Sequence, residues 1–141
     1  MSADWFQQLE GYIVGHRCEI LRREHDWAVN LVGGASIALP VPWRIVQSGR
    51  IGFASQDDGH TFSLKSPVDG ETEANKIIGA RPISGISIDP GTADLVLRFG
   101  ADVRLDAFIS SIGYEGWHIS PPPRRGGISV VALGGGELAI F

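Results

Sequence analysis

Clusters of glycine divide this chain into short apolar segments. Pairs or triplets of glycine occur at Gly33-Gly34, Gly126-Gly127 and Gly134-Gly135-Gly136, among 19 glycines in 141 residues. Glycine favours turns because it adopts backbone conformations that other residues rarely adopt. Short apolar segments between such turns are typical of β-strands. The glycine pattern therefore predicts a fold built from many short strands.

Several of these segments alternate apolar and polar residues, which is the period of a strand that has one buried face. In Asp102–Asp106, Val103 and Leu105 are predicted to point toward the core and the charged side chains to point away from it. Strands are expected over residues 12–22, 27–32, 35–39, 43–47, 50–55, 60–65, 81–88, 93–99, 102–108, 114–119, 127–133 and 137–141. The predicted fold class is therefore all-β.

The N-terminus has the clearest helical pattern. Ser2 can cap a short helix over residues 2–10, in which Trp5 and Leu9 lie one turn apart. Gly11 is typical of the residue that follows a helix. Residues 71–76 are expected to form either a linker or a short helical turn.

The two halves of the chain have similar patterns of apolar residues and glycine. At a shift of 66 residues the matched pairs include Leu31 and Leu97, Ile37 and Val103, and Ile51 and Trp117. This pattern predicts an internal duplication of two β-meander halves, residues 12–76 and 77–141. Each half would be too small to fold well alone, so we expect a single domain over residues 1–141, a pseudo-two-fold sandwich or barrel. The alternative is that two unrelated β-meanders align by chance once their glycines are matched.

Composition narrows the classes of partner and the compartment. The net charge is −4 and no long basic run occurs, which argues against nucleic acid and an anionic membrane as the main partner. The single cysteine, Cys18, allows no internal disulfide. The N-terminus does not resemble a secretory signal, and no apolar run is long enough to span a bilayer. We therefore expect a cytoplasmic protein whose partner is a small ligand or a basic protein.

Glu115 and His118 form the strongest candidate for acid–base chemistry, since a carboxylate can hold an imidazole in position. They are three residues apart in a predicted strand, and strand alternation places them on opposite faces. A bulge at Gly116 would bring both side chains to one face. The sequence leaves this question open.

The alternative interpretation of the same segment is structural. In it Trp117 and Ile119 belong to the core, and Tyr114 and His118 lie at a rim where they can contact a partner. The matched segment of the first half keeps the apolar residues but has no glutamate and no histidine, which favours the structural interpretation.

The other motifs lack the spacing that their chemistry requires. His16 and Cys18 form one potential pair of zinc ligands, but no second pair exists. Asp57–His60 and Gly134–Gly136 fit turns better than a calcium loop or a phosphate cradle. No serine lies in a G-x-S-x-G context. The sequence therefore predicts no metal, no cofactor and no catalytic residue.

Two candidate binding surfaces remain. Asp102, Arg104 and Asp106 would line an exposed sheet face together with Arg98, either as a solvated face or as an ion-paired recognition surface. Trp43 would form an aromatic patch with Trp5 if both were exposed, and would belong to the core otherwise. The predicted binding residues are Tyr114, Glu115, His118, Trp43, Asp102, Arg104 and Asp106.

The C-terminal half contains Ser110-Ser111, Tyr114–Trp117 and Ala132–Ala139. With these segments, residues 77–141 resemble a family of small bacterial β-rich proteins of unknown function. The resemblance implies a β-rich fold and carries no activity. Proteins of this size and style also resemble the accessory and immunity proteins of bacterial toxin systems, an analogy that concerns the fold rather than a site.

Three functions follow as expectations. The favoured one is a non-catalytic protein-binding module, in its most specific form an immunity-type inhibitor of a bacterial toxin. The second is a small-ligand-binding β-barrel, which predicts a closed apolar cavity. The third is a hydrolase-like enzyme that uses Glu115 and His118 in one pocket. An enzyme is the less favoured class, and a homodimer stays open.

Overall fold

The computed structural model describes residues 4–124 and 126–141. Two antiparallel sheets face each other, which confirms the all-β prediction in its sandwich form. They are not closed into a barrel, so the barrel alternative is wrong. Sheet A has the strand order β1-β2-β3-β9-β10-β11 and sheet B the order β5-β4-β8-β7-β6. The strands are β1 (Cys18–Arg22), β2 (Trp27–Leu31), β3 (Ser36–Leu39), β4 (Trp43–Gln47), β5 (Arg50–Ala54), β6 (Gly85–Ile88), β7 (Leu95–Arg98), β8 (Val103–Ala107), β9 (His118–Ser120), β10 (Val130–Gly134) and β11 (Glu137–Ile140).

The core lies between the sheets and follows the strand alternation. Val103 and Leu105 are buried on the inner face of β8, as the alternation of Asp102–Asp106 predicts. Trp43 and Trp117 are the largest fully buried side chains, one at the start of β4 and one just before β9. The core therefore takes one fully buried tryptophan from each half of the chain.

Two helices close the sides of the sandwich. Helix α1 spans Asp4–Ile13 and continues past Gly11, so the predicted end of this helix is wrong; Ser2 lies outside the described residues. Helix α2 spans Gly70–Ile78, so the helical alternative for residues 71–76 is correct and the linker alternative is wrong. Neither helix within the described residues has the length and apolar character needed to cross a membrane.

Helix α2 also covers the free edge of β1. The side-chain amide of Asn75 donates to the carbonyl of Ile20 and accepts from its N–H, each at 2.8 Å. Glu71 accepts a hydrogen bond from the N–H of Arg22 at 2.9 Å. These side chains occupy the positions of a neighbouring strand, and they satisfy backbone groups that a bare sheet edge would expose.

The strand predicted at residues 60–65 is absent, because Phe62 and Ser63 adopt left-handed backbone conformations (φ 45° and 66°) that no strand contains. The strand predicted at residues 114–119 is reduced to β9 (His118–Ser120).

Strand pairing follows a two-fold pattern. Residues 4–69 begin with α1 and residues 70–141 begin with α2, and each part then has three strands in one sheet and further strands in the other. Ile37 of β3 pairs with Ile119 of β9, just as Leu105 of β8 pairs with Ile45 of β4. The two halves therefore exchange strands, and neither forms a complete sandwich alone.

The number of residues that separates matching positions of the two halves increases along the chain. Ile86 follows its counterpart Ile20 by 66 residues, whereas Trp117 follows its counterpart Trp43 by 74. The constant shift that matches Ile51 with Trp117 is therefore wrong beyond the first strands, since loops of the second half are longer. Duplication itself stays a prediction.

Candidate functional site

The outer face of sheet B carries an unusual group of charged residues. Because Val103 and Leu105 point inward, Arg104 and Asp106 point outward from β8. Strand pairing sets Arg44 of β4 beside Asp106, and Arg98 of β7 beside Arg104. We call Arg44, Arg98, Arg104 and Asp106 the arginine face.

Asp106 holds two of these arginines in place. Its Oδ1 accepts a hydrogen bond from Nε of Arg104 at 2.9 Å, and its Oδ2 accepts one from Nε of Arg44 at 3.2 Å. The Asp106 side chain is only 8% exposed, whereas those of Arg44 and Arg104 are 36% and 39% exposed. Within the described residues, the terminal N–H groups of the two guanidinium ions make no hydrogen bond. A buried carboxylate thus fixes two cations whose donors stay free.

An aromatic ring further restricts one of these cations. The guanidinium carbon of Arg44 lies 5.1 Å from the ring centroid of Phe108, a cation–π distance. Arg44 is therefore held on one side by Asp106 and on another by Phe108.

The charge of this face is not balanced within the sheet. Arg98 and Arg104 are directly opposite each other on neighbouring strands, an arrangement in which like charges destabilise a sheet. The face has three arginines and one aspartate, which Arg44 and Arg104 contact, whereas the whole chain has a net charge of −4. The face is thus a basic area on an acidic protein.

A surface cleft of about 480 Å³ begins beside Arg104 and Asp106. Its other walls come from the β6–β7 hairpin and from Phe108; they include Ser87, Ile88, Asp89, Pro90, Asp94 and Val96. Asp89 accepts hydrogen bonds from the N–H groups of Thr92 and Gly91, which hold the pKa of its carboxyl below the usual value. Asp94 accepts from the N–H of Ile109 at 2.9 Å. Both carboxylates thus have local structural partners.

The structure brings together only part of the predicted charged surface. Arg104 and Asp106 lie on it, but Asp106 is buried rather than exposed, because both arginines cover it. Asp102 lies just before β8 and lines one cleft with Arg98 and Arg104; its carboxylate is 3.8 Å from a guanidinium nitrogen of Arg81. Sequence reasoning missed Arg44, although Trp43 and Ile45 alternate around it.

Trp43 is not available to a partner. It is 1% exposed because it lies on the inner face of β4, where it packs against Trp27 and Phe53 with ring centroids 5.1 and 5.5 Å away. The aromatic patch predicted with Trp5 is therefore wrong, and the core alternative is correct.

The segment around Gly116 has the pairing of a bulge. The N–H of Gly116 donates to the carbonyl of Ala132, and the N–H of Ala132 donates to the carbonyl of Trp117, so two residues oppose one. Trp117 and Ile119 are fully buried, in agreement with the core interpretation.

The bulge does not create a hydrogen-bonded acid–base pair. Within the described residues, no hydrogen bond or ion pair joins Glu115 to His118, and the buried Nε2 of His118 has no partner. Glu115 is exposed, and Tyr114 is 83% exposed.

Metal-ligating side chains are dispersed. No group of three or more His, Cys, Asp or Glu side chains suited to a metal ion occurs within residues 4–124 and 126–141. Burial raises the pKa of the Cys18 thiol to about 12, so this cysteine is protonated at neutral pH and is a poor ligand and nucleophile.

The chain matches no family model, and no curated protein or solved structure similar to it was found. The resemblance of residues 77–141 to a small bacterial family therefore stays a prediction.

Proposed function

We propose that this chain is a non-catalytic protein-binding module and that its arginine face binds an acidic segment of a protein partner. One observation supports this most directly: the buried carboxylate of Asp106 fixes two guanidinium groups and leaves their terminal donors free.

Such an arrangement favours carboxylates. Guanidinium groups bind carboxylates through paired, charge-assisted hydrogen bonds, and their planar fork matches the two carboxylate oxygens. Because Asp106 already restricts Arg44 and Arg104, a ligand that binds them causes a smaller loss of side-chain entropy. The fixed positions of these two arginines support a role in ligand recognition, because side chains that serve only solubility do not need to be held in place.

Charge complementarity supports an acidic partner. Arg98 and Arg104 repel each other across the strand pair, and an incoming carboxylate relieves this repulsion. The expectation of a basic partner, which follows from the net charge of −4, applies to the molecule as a whole and not to this face.

An immunity-type inhibitor that occludes a bacterial toxin is the most specific form of this function. For such an inhibitor, the arginine face implies that the toxin surface covered by the chain is acidic. Co-expression with the product of the adjacent gene tests this form: a complex that forms with the native chain and is lost in Arg104→Gln supports it. A complex that Arg104→Gln leaves intact contradicts it.

The direct test is a nuclear magnetic resonance titration with an acetylated deca-glutamate peptide at low salt. We expect the Nε–H signals of Arg44, Arg98 and Arg104 to shift, and the double variant Arg44→Gln/Arg104→Gln to weaken binding by at least about tenfold. Arg17→Gln is the matched control, since Arg17 is exposed and lies outside the arginine face.

Two results would overturn the proposal. In the first, Arg17→Gln weakens binding as much as the double variant, which would show that net charge alone attracts the peptide. In the second, inorganic phosphate binds the face more tightly than the glutamate peptide, which would point to a phosphorylated ligand in place of carboxylates.

A further inference from the structure

We infer that the partner segment also carries a bulky apolar side chain, which fills a second cleft between α1, β6 and β11. This inference rests on the proposed function, because it extends the same interface. It identifies the ligand as an extended polypeptide with two features in a fixed spacing: acidic residues for the arginine face and one apolar anchor.

The second cleft has about 490 Å³ and mainly apolar walls. Trp5 and Phe6 of α1 form one wall and pack edge to face, with ring centroids 5.7 Å apart. Ile86 of β6 and Leu138 of β11 contribute to the opposite walls. Trp5, Phe6 and Leu138 are only partly buried, so each offers apolar surface to a ligand.

The two clefts are adjacent. Both are lined by residues 87–90, so the β6 strand end is a ridge that separates them and belongs to each. A segment that leaves the arginine face across β7 must pass this ridge. This adjacency is the reason to assign both clefts to one occupant.

Sheet geometry sets the spacing within that occupant. Arg104 is on β8, two strands away from β6, which corresponds to about 10 Å. An extended chain covers about 3.3 Å per residue, so three to five residues separate the acidic residue from the apolar one. A small anion could occupy the arginines but could not reach the second cleft at the same time.

A random dodecapeptide library displayed on phage, selected against the full chain, tests the inference. We expect a consensus in which acidic residues lie three to five positions from a Leu, Ile, Phe or Trp. Peptides selected for binding to the Arg104→Gln variant should lose the acidic positions of the consensus and keep the apolar position. Peptides selected for binding to the Phe6→Ala variant should keep the acidic positions and lose the apolar one. Val32→Ser is the matched control, since Val32 is 79% exposed and lines neither cleft.

A second measurement needs no change in the protein. The selected peptide is synthesised with its apolar residue replaced by alanine, and its affinity should fall by about tenfold to a hundredfold, as expected for burial of one large apolar side chain. This measurement decides the question even if Phe6→Ala fails to fold.

The outcomes separate the two proposals. A consensus with acidic residues and no apolar position overturns this inference and leaves the proposed function intact. A consensus with an apolar position alone overturns the acidic recognition and, with it, the two-part site. Selection without any consensus, or an unchanged affinity of the alanine peptide, also overturns the inference.

Discussion

The indole N–H of Trp117 donates a 2.7 Å hydrogen bond to the carbonyl of Ala93, whereas the indole N–H of Trp43 has no partner among the described residues. Trp43 is the first residue of β4 in sheet B, and Trp117 immediately precedes β9 in sheet A. Ala93 lies in the six-residue β6–β7 loop and has a left-handed backbone (φ 64°). The corresponding β1–β2 loop has only four residues, 23–26. The longer β6–β7 loop thus contains the carbonyl that accepts from the indole N–H of Trp117, whereas the indole N–H of Trp43 has no such acceptor.

This difference predicts that Trp117→Phe destabilises the protein more than Trp43→Phe. Both substitutions remove similar buried volume, but only Trp117→Phe leaves the buried Ala93 carbonyl without its donor. We expect its cost in the free energy of unfolding to be about 1–2 kcal/mol larger than that of Trp43→Phe. Urea unfolding of both variants measures the difference, and equal costs would show that the Trp117 hydrogen bond contributes nothing net.

Asn75→Ala should open the edge of β1. The substitution removes both hydrogen bonds to Ile20, and we expect it to cost about 2 kcal/mol even though alanine has the higher helix propensity. Hydrogen exchange of the Ile20 N–H should accelerate accordingly. Lys76→Ala, at the neighbouring exposed position of α2, is the control. Unchanged exchange at Ile20 in Asn75→Ala would contradict this role.

The sequence predicts the inner faces of strands well because alternation is a local property. Val103 and Leu105, as well as Trp117 and Ile119, are buried as expected. Helix α2 is harder to recognise, since it is short and becomes stable through contacts with β1 and β5 that a local pattern does not contain.

The candidate site could be predicted only in part for a similar reason. Arg104 and Asp106 share one strand, so alternation finds them, but Arg44 is 62 positions from Asp106 and meets it through the pairing of β4 with β8. A non-local pairing of this kind decides whether an aspartate is exposed or buried between two arginines.

Gly136 should not tolerate a side chain. Its backbone is left-handed (φ 93°), and an added Cβ would overlap the carbonyl oxygen of Gly91. Gly59 has a similar φ of 81° but open space around it, so Gly59→Ala measures the backbone strain alone, about 1 kcal/mol. We expect Gly136→Ala to cost at least about 3 kcal/mol, because the β10–β11 turn must move away from the loop at Gly91. Similar costs in thermal unfolding of the two variants would contradict this close contact.

Asp106→Asn should destabilise the fold without changing its shape. The amide has the size of the carboxylate but no charge, so Arg44 and Arg104 lose their shared counter-ion. After allowance for the partial exposure of both arginines, we expect a cost of about 1–3 kcal/mol in urea unfolding. Asp102→Asn is the matched control, because Asp102 is 51% exposed and lies 3.8 Å from Arg81, and its cost should stay below about 0.5 kcal/mol. An equal effect of both substitutions would show that Asp106 does not organise the arginine face.

Stability should decline in acid through Asp89. The N–H groups of Thr92 and Gly91 donate to its carboxylate and lower its pKa in the folded state. The stabilisation is therefore fully present above the pKa of the unfolded chain, about 3.9, and it is lost as the pH falls through the lower folded pKa. Asp89→Asn does not titrate, so we expect its Tm to lie below that of the native chain at pH 7 and the two Tm values to converge near pH 2. Thermal unfolding between pH 7 and pH 2 checks this, and two Tm curves that stay parallel throughout would show that the ionised Asp89 carboxylate does not stabilise the β6–β7 loop.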